Sequence, residues 1–171
     1  WKRIIDMIGA AVGLILLLPV FMLMTVYIKM VSPGPAVFKQ KRVGFLGKNF
    51  TCLKFRTMHT AADTIVHNHY FSRLMSREVP MEKLDNRDSR IIPLGRFIRK
   101  AGLDELPQLL NVLAGDMSVI GPRPCIPYEA EHYKPWQRRR FEAVPGLTGL
   151  WQVSGKNRTT FNEMMRYDIG Y

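Results

Sequence analysis

Cysteine and histidine are scarce in this 171-residue chain: two cysteines, Cys52 and Cys125, and four histidines, His59, His67, His69 and His132. Neither set falls at metal-ligand spacing, which argues against a structural zinc site. Two isolated cysteines also exclude a disulfide scaffold and fit a reduced domain facing the cytoplasm. No glycine fingerprint follows a candidate strand, so a nucleotide-binding parallel sheet is not expected. Repeats and low-complexity tracts are absent, and the length suits one compact domain. Acidic residues are few, 14 against 25 lysines and arginines, which leaves a formal net charge of +11.

Such a balance requires an anionic partner, and the arrangement of the basic residues favours a lipid surface over nucleic acid. Arg96, Arg99 and Lys100 interleave with Ile91, Ile92, Leu94, Phe97 and Ile98. Arg138, Arg139 and Arg140 stand beside Tyr133, Trp136 and Phe141. Stretches of this kind lie in a headgroup plane with cations against lipid phosphate, or pack as ordinary amphipathic helices on a core.

Residues 7–28 carry no charge, a run long enough to span a bilayer. It has no small-residue cleavage site, which disfavours a signal peptide. Pro19 divides it into expected helices at 7–18 and 20–28, roughly 18 Å and 14 Å long, each matching about one leaflet. Lys2 and Arg3 precede the run, and Lys29, Lys39, Lys41 and Arg42 follow it. Both ends thus bear the cytoplasmic signature, which one crossing cannot satisfy. A re-entrant helix-break-helix is the expectation, with a plain spanning helix as the alternative.

The centre of the chain reads KAGLDELPQLLNVLAGDMSVIGPRP. Leu106, Leu109, Leu110 and Leu113 recur at helical spacing, predicting an amphipathic helix that ends before Gly115. Pro107 is tolerated only in a first turn, which places Asp104 at or near the N-cap and Glu105 just inside. That end of a helix suits a phosphate, or a carboxylate that attacks one; a simple cap is the alternative.

In the candidate strand FTCLKFRTM, Lys54 and Arg56 share one face roughly 6.6 Å apart, while Leu53 and Phe55 share the other. Two cations at that spacing straddle a pyrophosphate, or simply edge a half-solvated strand. Arg123, between Pro122 and Pro124, is presented from a stiff loop suited to bidentate phosphate binding.

These segments resemble the bacterial sugar transferases, the monotopic polyprenyl-phosphate phosphoglycosyl transferases. The likeness covers almost the whole chain: WKRIIDMIG before the apolar run, SPGPAVFKQKRVG, KFRTM, LDELPQLLNVLAGDMSVIGPRP, PGLTGLWQVSGKN and RYDIGY. The chain departs from the pattern at the break, where Leu18 precedes Pro19 in place of the serine many members carry. A leucine cannot bond a carbonyl freed by the proline, so another group must.

The resemblance implies transfer of a sugar-1-phosphate from a UDP-sugar to polyprenyl (undecaprenyl) phosphate with release of UMP, an early membrane step of exopolysaccharide, O-antigen or capsule assembly. It implies Mg²⁺ as cofactor and the cytoplasmic face of the bacterial inner membrane as location. On this basis Asp104 is the expected nucleophile and Glu105 the metal ligand. Lys54, Arg56 and Arg123 are expected to bind phosphates, and Asp168 to assist metal or nucleotide. UDP-sugar, polyprenyl phosphate and anionic lipid headgroups are the expected partners, nucleic acid is not, and a homo-oligomer is compatible. Some similar proteins carry extra N-terminal membrane segments and a further domain, and a chain running from Trp1 to Tyr171 is compatible with the catalytic portion of one. A basic non-enzymatic membrane adaptor, the rival reading, would need the anchor but not Asp104 and Glu105.

The expected fold is α+β and helix-dominated, with a membrane segment at 1–31 and an interfacial catalytic region at 32–171. A β-hairpin is expected with strands near 36–43 and 50–58. Further expectations are a helix over 60–79, a polar turn at 86–89, an interfacial helix near 91–100, a short irregular or strand-like piece around 150–153, a loop at 154–158 and a last helix from about Thr160.

Overall fold

A computed structural model describes residues 1–59, 90–154 and 159–171. The helix expected over 60–79, the turn at 86–89 and all but the first residue of the loop at 154–158 lie outside the described residues. The chain divides into two compact units. The first gathers residues 1–40, 51–62 and 84–115, and the second residues 41–50, 63–83 and 116–171.

The first unit opens with α1 (Lys2–Leu16) and α2 (Leu18–Val31), bent by 61°. Among the described residues no single helix is long and apolar enough to cross a membrane, although the bent pair has the length and composition for it. The break falls at Leu17, not at Pro19, which sits in the first turn of α2. A proline there loses no intrahelical bond of its own helix, whereas it would clash with the preceding turn of a continuous one, so the bend lies N-terminal to the ring. Backbone N–H groups at the cap bond back to the carbonyls of Gly13 and Ile15. The backbone itself therefore supplies the partner that Leu18 cannot.

The expected hairpin is present as β1 (Val37–Val43) and β2 (Asn49–Phe55), paired around a tight turn at Phe45–Gly47. The boundary between the two units falls within it. In the first unit, Phe55 is buried with Met24 and Ile28 of α2 and with Ala36, Ile92 and Ile98. Burying such a side chain contributes about 1.5–3 kcal/mol, so α2 is part of this core and not only a lipid-facing element. α3 (Gly95–Ala101) starts later than expected. It buries Ile98 but leaves Leu94 and Phe97 65% and 63% exposed beside Arg96 and Lys100.

α4 (Gln108–Ala114) packs against α1; a methyl group on Gly13 would stand 3.4 Å from Leu109 Cδ1. Gly115, at φ +99, ends α4 in the left-handed conformation that glycine tolerates best. The Arg3 guanidinium donates to the carbonyls of Val112 and Leu113, closing the C-terminus that α4 leaves open.

The second unit contains a feature not expected from the sequence, a parallel pair of short strands, β3 (Ser118–Ile120) and β4 (Gly146–Thr148). Their backbones approach so closely that a Cβ on Gly146 would lie 2.1 Å from the Gly121 nitrogen, and one on Gly121 would lie 2.3 Å from the Val144 carbonyl oxygen. Only glycine fits at either place.

α5 (Pro127–Glu131) and α6 (Pro135–Arg138) follow β3, and α7 (Leu150–Ser154) follows β4. The strand-like piece expected around 150–153 is therefore helical. The strand lies just before it, where Gly146 permits the approach to Gly121. The last helix, α8 (Phe161–Ile169), begins where expected. Thr160 caps it, with Glu163 N–H donating to Thr160 Oγ1 at 3.3 Å and Thr160 N–H to Glu163 Oε2 at 2.7 Å. The core of this unit joins Val43, Cys125, Tyr133, Trp151, Phe161, Met164 and Met165. Tyr133 and Arg140, expected in a headgroup plane, are both buried, while Trp136, Arg138 and Arg139 remain exposed.

Candidate active site

Asp104 and Glu105 lie on a single 3-10 turn, Leu103–Glu105, and α4 starts only at Gln108. The expected N-cap position is thus corrected: Pro107 takes it. Proline lacks an N–H, and Leu109 and Leu110 bond to the carbonyls of Leu106 and Pro107, three residues back, so the chain winds tightly before the α-helix is established. The N–H groups of Glu105 and Leu106 are bonded to the carbonyls of Gly102 and Leu103. They are not free for an anion, and the positive potential at the pair comes from side chains.

Lys54 supplies it. Its Nζ donates to Glu105 Oε1 at 2.7 Å, with both side chains partly exposed. Burial raises the Asp104 carboxyl above its ordinary range, Lys54 opposes the rise, Glu105 adds to it, and Arg99 and the Asp104 backbone N–H oppose it further. Desolvation dominates, so Asp104 is a carboxylate poorly solvated by water and held beside a lysine. A carboxyl shifted by burial and specific neighbours makes Asp104 a candidate functional group.

The geometry is fixed by Asn111, a residue that no motif or spacing marks out. From the buried face of α4 its Oδ1 accepts from Leu53 N–H at 3.0 Å and its Nδ2 donates to the Thr51 carbonyl at 2.7 Å. One side chain thereby ties the helix that follows Asp104 and Glu105 to the strand that carries Lys54.

The Arg56 guanidinium is occupied with backbone carbonyls. The residue lies one position past the end of β2, is buried, and donates from Nη1 to the Pro33 carbonyl at 2.6 Å and from Nη2 to the Ser32 carbonyl at 2.7 Å. Its Nε is buried without a hydrogen-bond partner. The guanidinium thus fastens the exit of α2 to the strand.

Arg123 and Asp168 belong to the second unit. Arg123 keeps a partly exposed side chain with Glu129 Oε2 4.0 Å from Nη1. Asp168 is not a surface carboxylate: it is buried on α8 and ion-paired with Arg140, which is equally buried and was expected at a lipid surface. Burial raises the Asp168 carboxyl, against the lowering effects of Arg140 and then Arg123.

Adjacent carboxylates with a facing lysine are groups that phosphoryl transfer can use, and comparison with known proteins gives the family. The profile for bacterial sugar transferases matches residues 1–171. The chain belongs to the bacterial sugar transferase family. It is 42% identical over 176 residues to a galactosyl transferase, CpsE, of Streptococcus agalactiae, covering 99% of this chain and 37% of the relative. It is 38% identical over 172 residues to the exopolysaccharide production protein ExoY of Rhizobium meliloti, covering 99% and 76%. It is 41% identical over 172 residues to a UDP-glucose:undecaprenyl-phosphate glucose-1-phosphate transferase of Caulobacter vibrioides, covering 98% and 59%. The chain thus spans from about a third to three quarters of these relatives' length.

Among the described residues no three acidic, histidine or cysteine side chains converge as a ready-made metal cage. The carboxylates of Asp104 and Glu105, neighbours in sequence and both partly exposed, are of the kind Mg²⁺ takes, since it binds one or two carboxylates, waters and substrate phosphates in preference to an all-protein cage.

Proposed function

We propose that the chain transfers a sugar-1-phosphate from a UDP-sugar to undecaprenyl or another polyprenyl phosphate through a covalent intermediate on Asp104. The observation that carries the reading is the partly buried, poorly solvated Asp104 next to Glu105, with Lys54 bonded to Glu105 at 2.7 Å. The names of the relatives, which include exopolysaccharide production and transfer of glucose-1-phosphate from UDP-glucose to undecaprenyl phosphate, supply the substrates.

An Asp104 carboxylate oxygen attacks the sugar-bearing phosphorus of the UDP-sugar. The bond to the bridging oxygen breaks, UMP leaves with that electron pair, and a phosphosugar remains on the aspartate. A phosphate oxygen of the polyprenyl phosphate then attacks the same phosphorus, the acyl phosphate bond breaks, and Asp104 returns to a carboxylate. The lipid leaves as a polyprenyl diphosphosugar.

Lys54 offsets the negative charge that two anions bring together. Glu105 would hold Mg²⁺, whose Lewis acidity would neutralise the diphosphate. Arg123 grips a donor phosphate. Arg56 serves through position, by fixing the strand that bears Lys54.

The acceptor phosphate lies at headgroup level, and the reading places the chain there. The bend at Leu17 and the basic residues before and after the apolar run support a re-entrant segment on the cytoplasmic face of the inner membrane. So do the exposed apolar side chains Ile5, Ile8, Ile15, Leu16, Leu23 and Met30 along α1 and α2. Leu94 and Phe97, beside Arg96 and Lys100 in the same unit, suit insertion among anionic lipids.

The test is incubation of the chain in nanodiscs with Mg²⁺ and a panel of UDP-sugars, with and without polyprenyl phosphate, following UMP and intact protein mass. The expected result is UMP with a phosphosugar adduct that Asp104→Asn abolishes. Turnover that survives the substitution removes Asp104 as nucleophile, and no UMP from any donor favours the adaptor reading.

A further inference from the structure

Four consecutive carbonyls of the segment that bears Arg123 are each bonded. Pro122 accepts from Gly146 N–H at 2.8 Å, Arg123 from Arg140 Nη2, Pro124 from Arg42 Nη1 at 3.0 Å, and Cys125 from Val43 N–H at 2.9 Å. Pro122 and Pro124 have no N–H, so carbonyls are the main backbone handles by which this loop can be gripped. The grip on Arg123 itself comes from a side chain buried to 2% exposure with a buried ion-pair partner. Arg140 Nη2 is shared between the Arg123 carbonyl and Asp168 Oδ2, and Nη1 donates to the Tyr133 hydroxyl at 2.9 Å.

We propose that Arg140, oriented by Asp168, is a positioning residue that aims the Arg123 guanidinium at a phosphate of the sugar donor. The proposal rests on the phosphate-binding role given to Arg123 above. It reassigns Asp168, expected to assist metal or nucleotide, to holding Arg140.

The energetics point the same way. A buried ion pair contributes little net stability over an apolar pair of similar volume, because desolvation offsets the attraction. Here both ions are buried, and the backbone of Arg123 joins Arg140 in favouring the charged Asp168 carboxylate. What the pair accomplishes is geometric, since a guanidinium fork can hold a carbonyl and a carboxylate at once while the Arg123 side chain stays partly exposed. Misplacing a charged group by about 1 Å can cost on the order of a hundredfold in rate.

Removing one partner alone would leave a buried charge and endanger folding, so the decisive variant replaces both: Arg140→Met with Asp168→Leu, in the full chain in nanodiscs. UMP release and thermal unfolding are measured for this pair, for Arg123→Ala and for the triple variant. The expected result is a folded pair variant whose kcat/KM falls roughly tenfold to a hundredfold, as in Arg123→Ala, with the triple variant within about twofold of Arg123→Ala. Arg140→Lys gives a second measure. It keeps the charge opposite Asp168 but lacks the fork, and should lose several-fold in kcat/KM at little cost in melting temperature, with no further loss in the Arg123→Ala background.

A folded pair variant with wild-type kcat/KM overturns the proposal, as do losses that multiply with Arg123→Ala, which would place Asp168 or Arg140 on the substrate directly. If the pair variant does not fold, wild-type kcat/KM in Arg140→Lys overturns it. A silent Arg123→Ala removes the phosphate role of Arg123 and the positioning role with it. A damaging Arg123→Ala beside a silent pair removes the positioning role alone.

Discussion

Lys54 Nζ and Glu105 Oε1 stand 2.7 Å apart, and the lysine charge reaches Asp104 as well. Lys54 thus restrains the carboxyl that Glu105 and burial push upward. On the proposed mechanism Asp104 attacks as a carboxylate, so the acid limb of kcat/KM for UMP release should lie above the ordinary aspartate range. Lys54→Met should move that limb to higher pH and Glu105→Gln to lower pH, beyond whatever each does to the plateau. Limbs that coincide in all three proteins would uncouple Asp104 from the titration.

A raised carboxyl in the folded state also sets a sign for stability. The folded protein binds the Asp104 proton more tightly than the unfolded chain, so the associated penalty is absent well below the unfolded value, near pH 4, and grows as pH rises through the folded one. Asp104→Asn, which has no charge to desolvate, should melt above the wild type at neutral pH and converge with it in acid. Its UMP release should fall on the order of 10⁴-fold or more. Calorimetry in acid well below the unfolded value and again at neutral pH checks the first claim and the UMP assay the second.

Asn111→Leu keeps the approximate volume of the side chain but strips Thr51 and Leu53 of their partner. Leaving two partly buried backbone groups unsatisfied costs about 1–3 kcal/mol each. The melting temperature should fall accordingly, and kcat should fall more than KM rises, since Lys54 would no longer be held against Glu105. A purely thermal effect, with full kcat below the new melting point, would confine Asn111 to stability.

Chelation of divalent cations should stop UMP release, and readdition of Mg²⁺ should restore it. Glu105→Gln should raise the Mg²⁺ concentration for half-maximal rate by roughly tenfold, the scale set by loss of one charged ligand contact. An unchanged Mg²⁺ requirement would take Glu105 off the metal.

Leu94→Asp with Phe97→Asp should weaken binding to vesicles containing anionic lipid without unfolding the chain, because both side chains are exposed and Ile98 carries the packing of α3. Flotation at low and high salt separates the apolar contribution from that of Arg96 and Lys100.

The hairpin, the helix ending before Gly115 and the helix beginning after Thr160 were legible because periodicity and local chemistry specify them. The break at Leu17 was displaced from Pro19 because a proline determines the bend in the turn before it. The position of Asp104 was misread because sequence periodicity does not distinguish a 3-10 turn from the start of an α-helix when a proline intervenes. Arg56 reads as a phosphate-binding cation and Arg140 as one of an interfacial basic run, since sequence gives no sign of which guanidinium finds carbonyls to bond. The parallel strands were hidden because each has three residues and their pairing depends on glycines 25 positions apart.

Met24 and Ile28 of α2 share a core with Phe55, Gly13 of α1 abuts Leu109, and Arg3 closes the end of α4. The apolar segment is therefore built into the body that holds Asp104, not a tether from which a catalytic head could be cut. Excising residues 1–31 to obtain a water-soluble enzyme would expose Phe55, Ile92 and Leu109 and leave two helix carbonyls without a donor. The product would be prone to aggregate, so residues 1–31 serve the folding of the first unit as well as any contact with lipid.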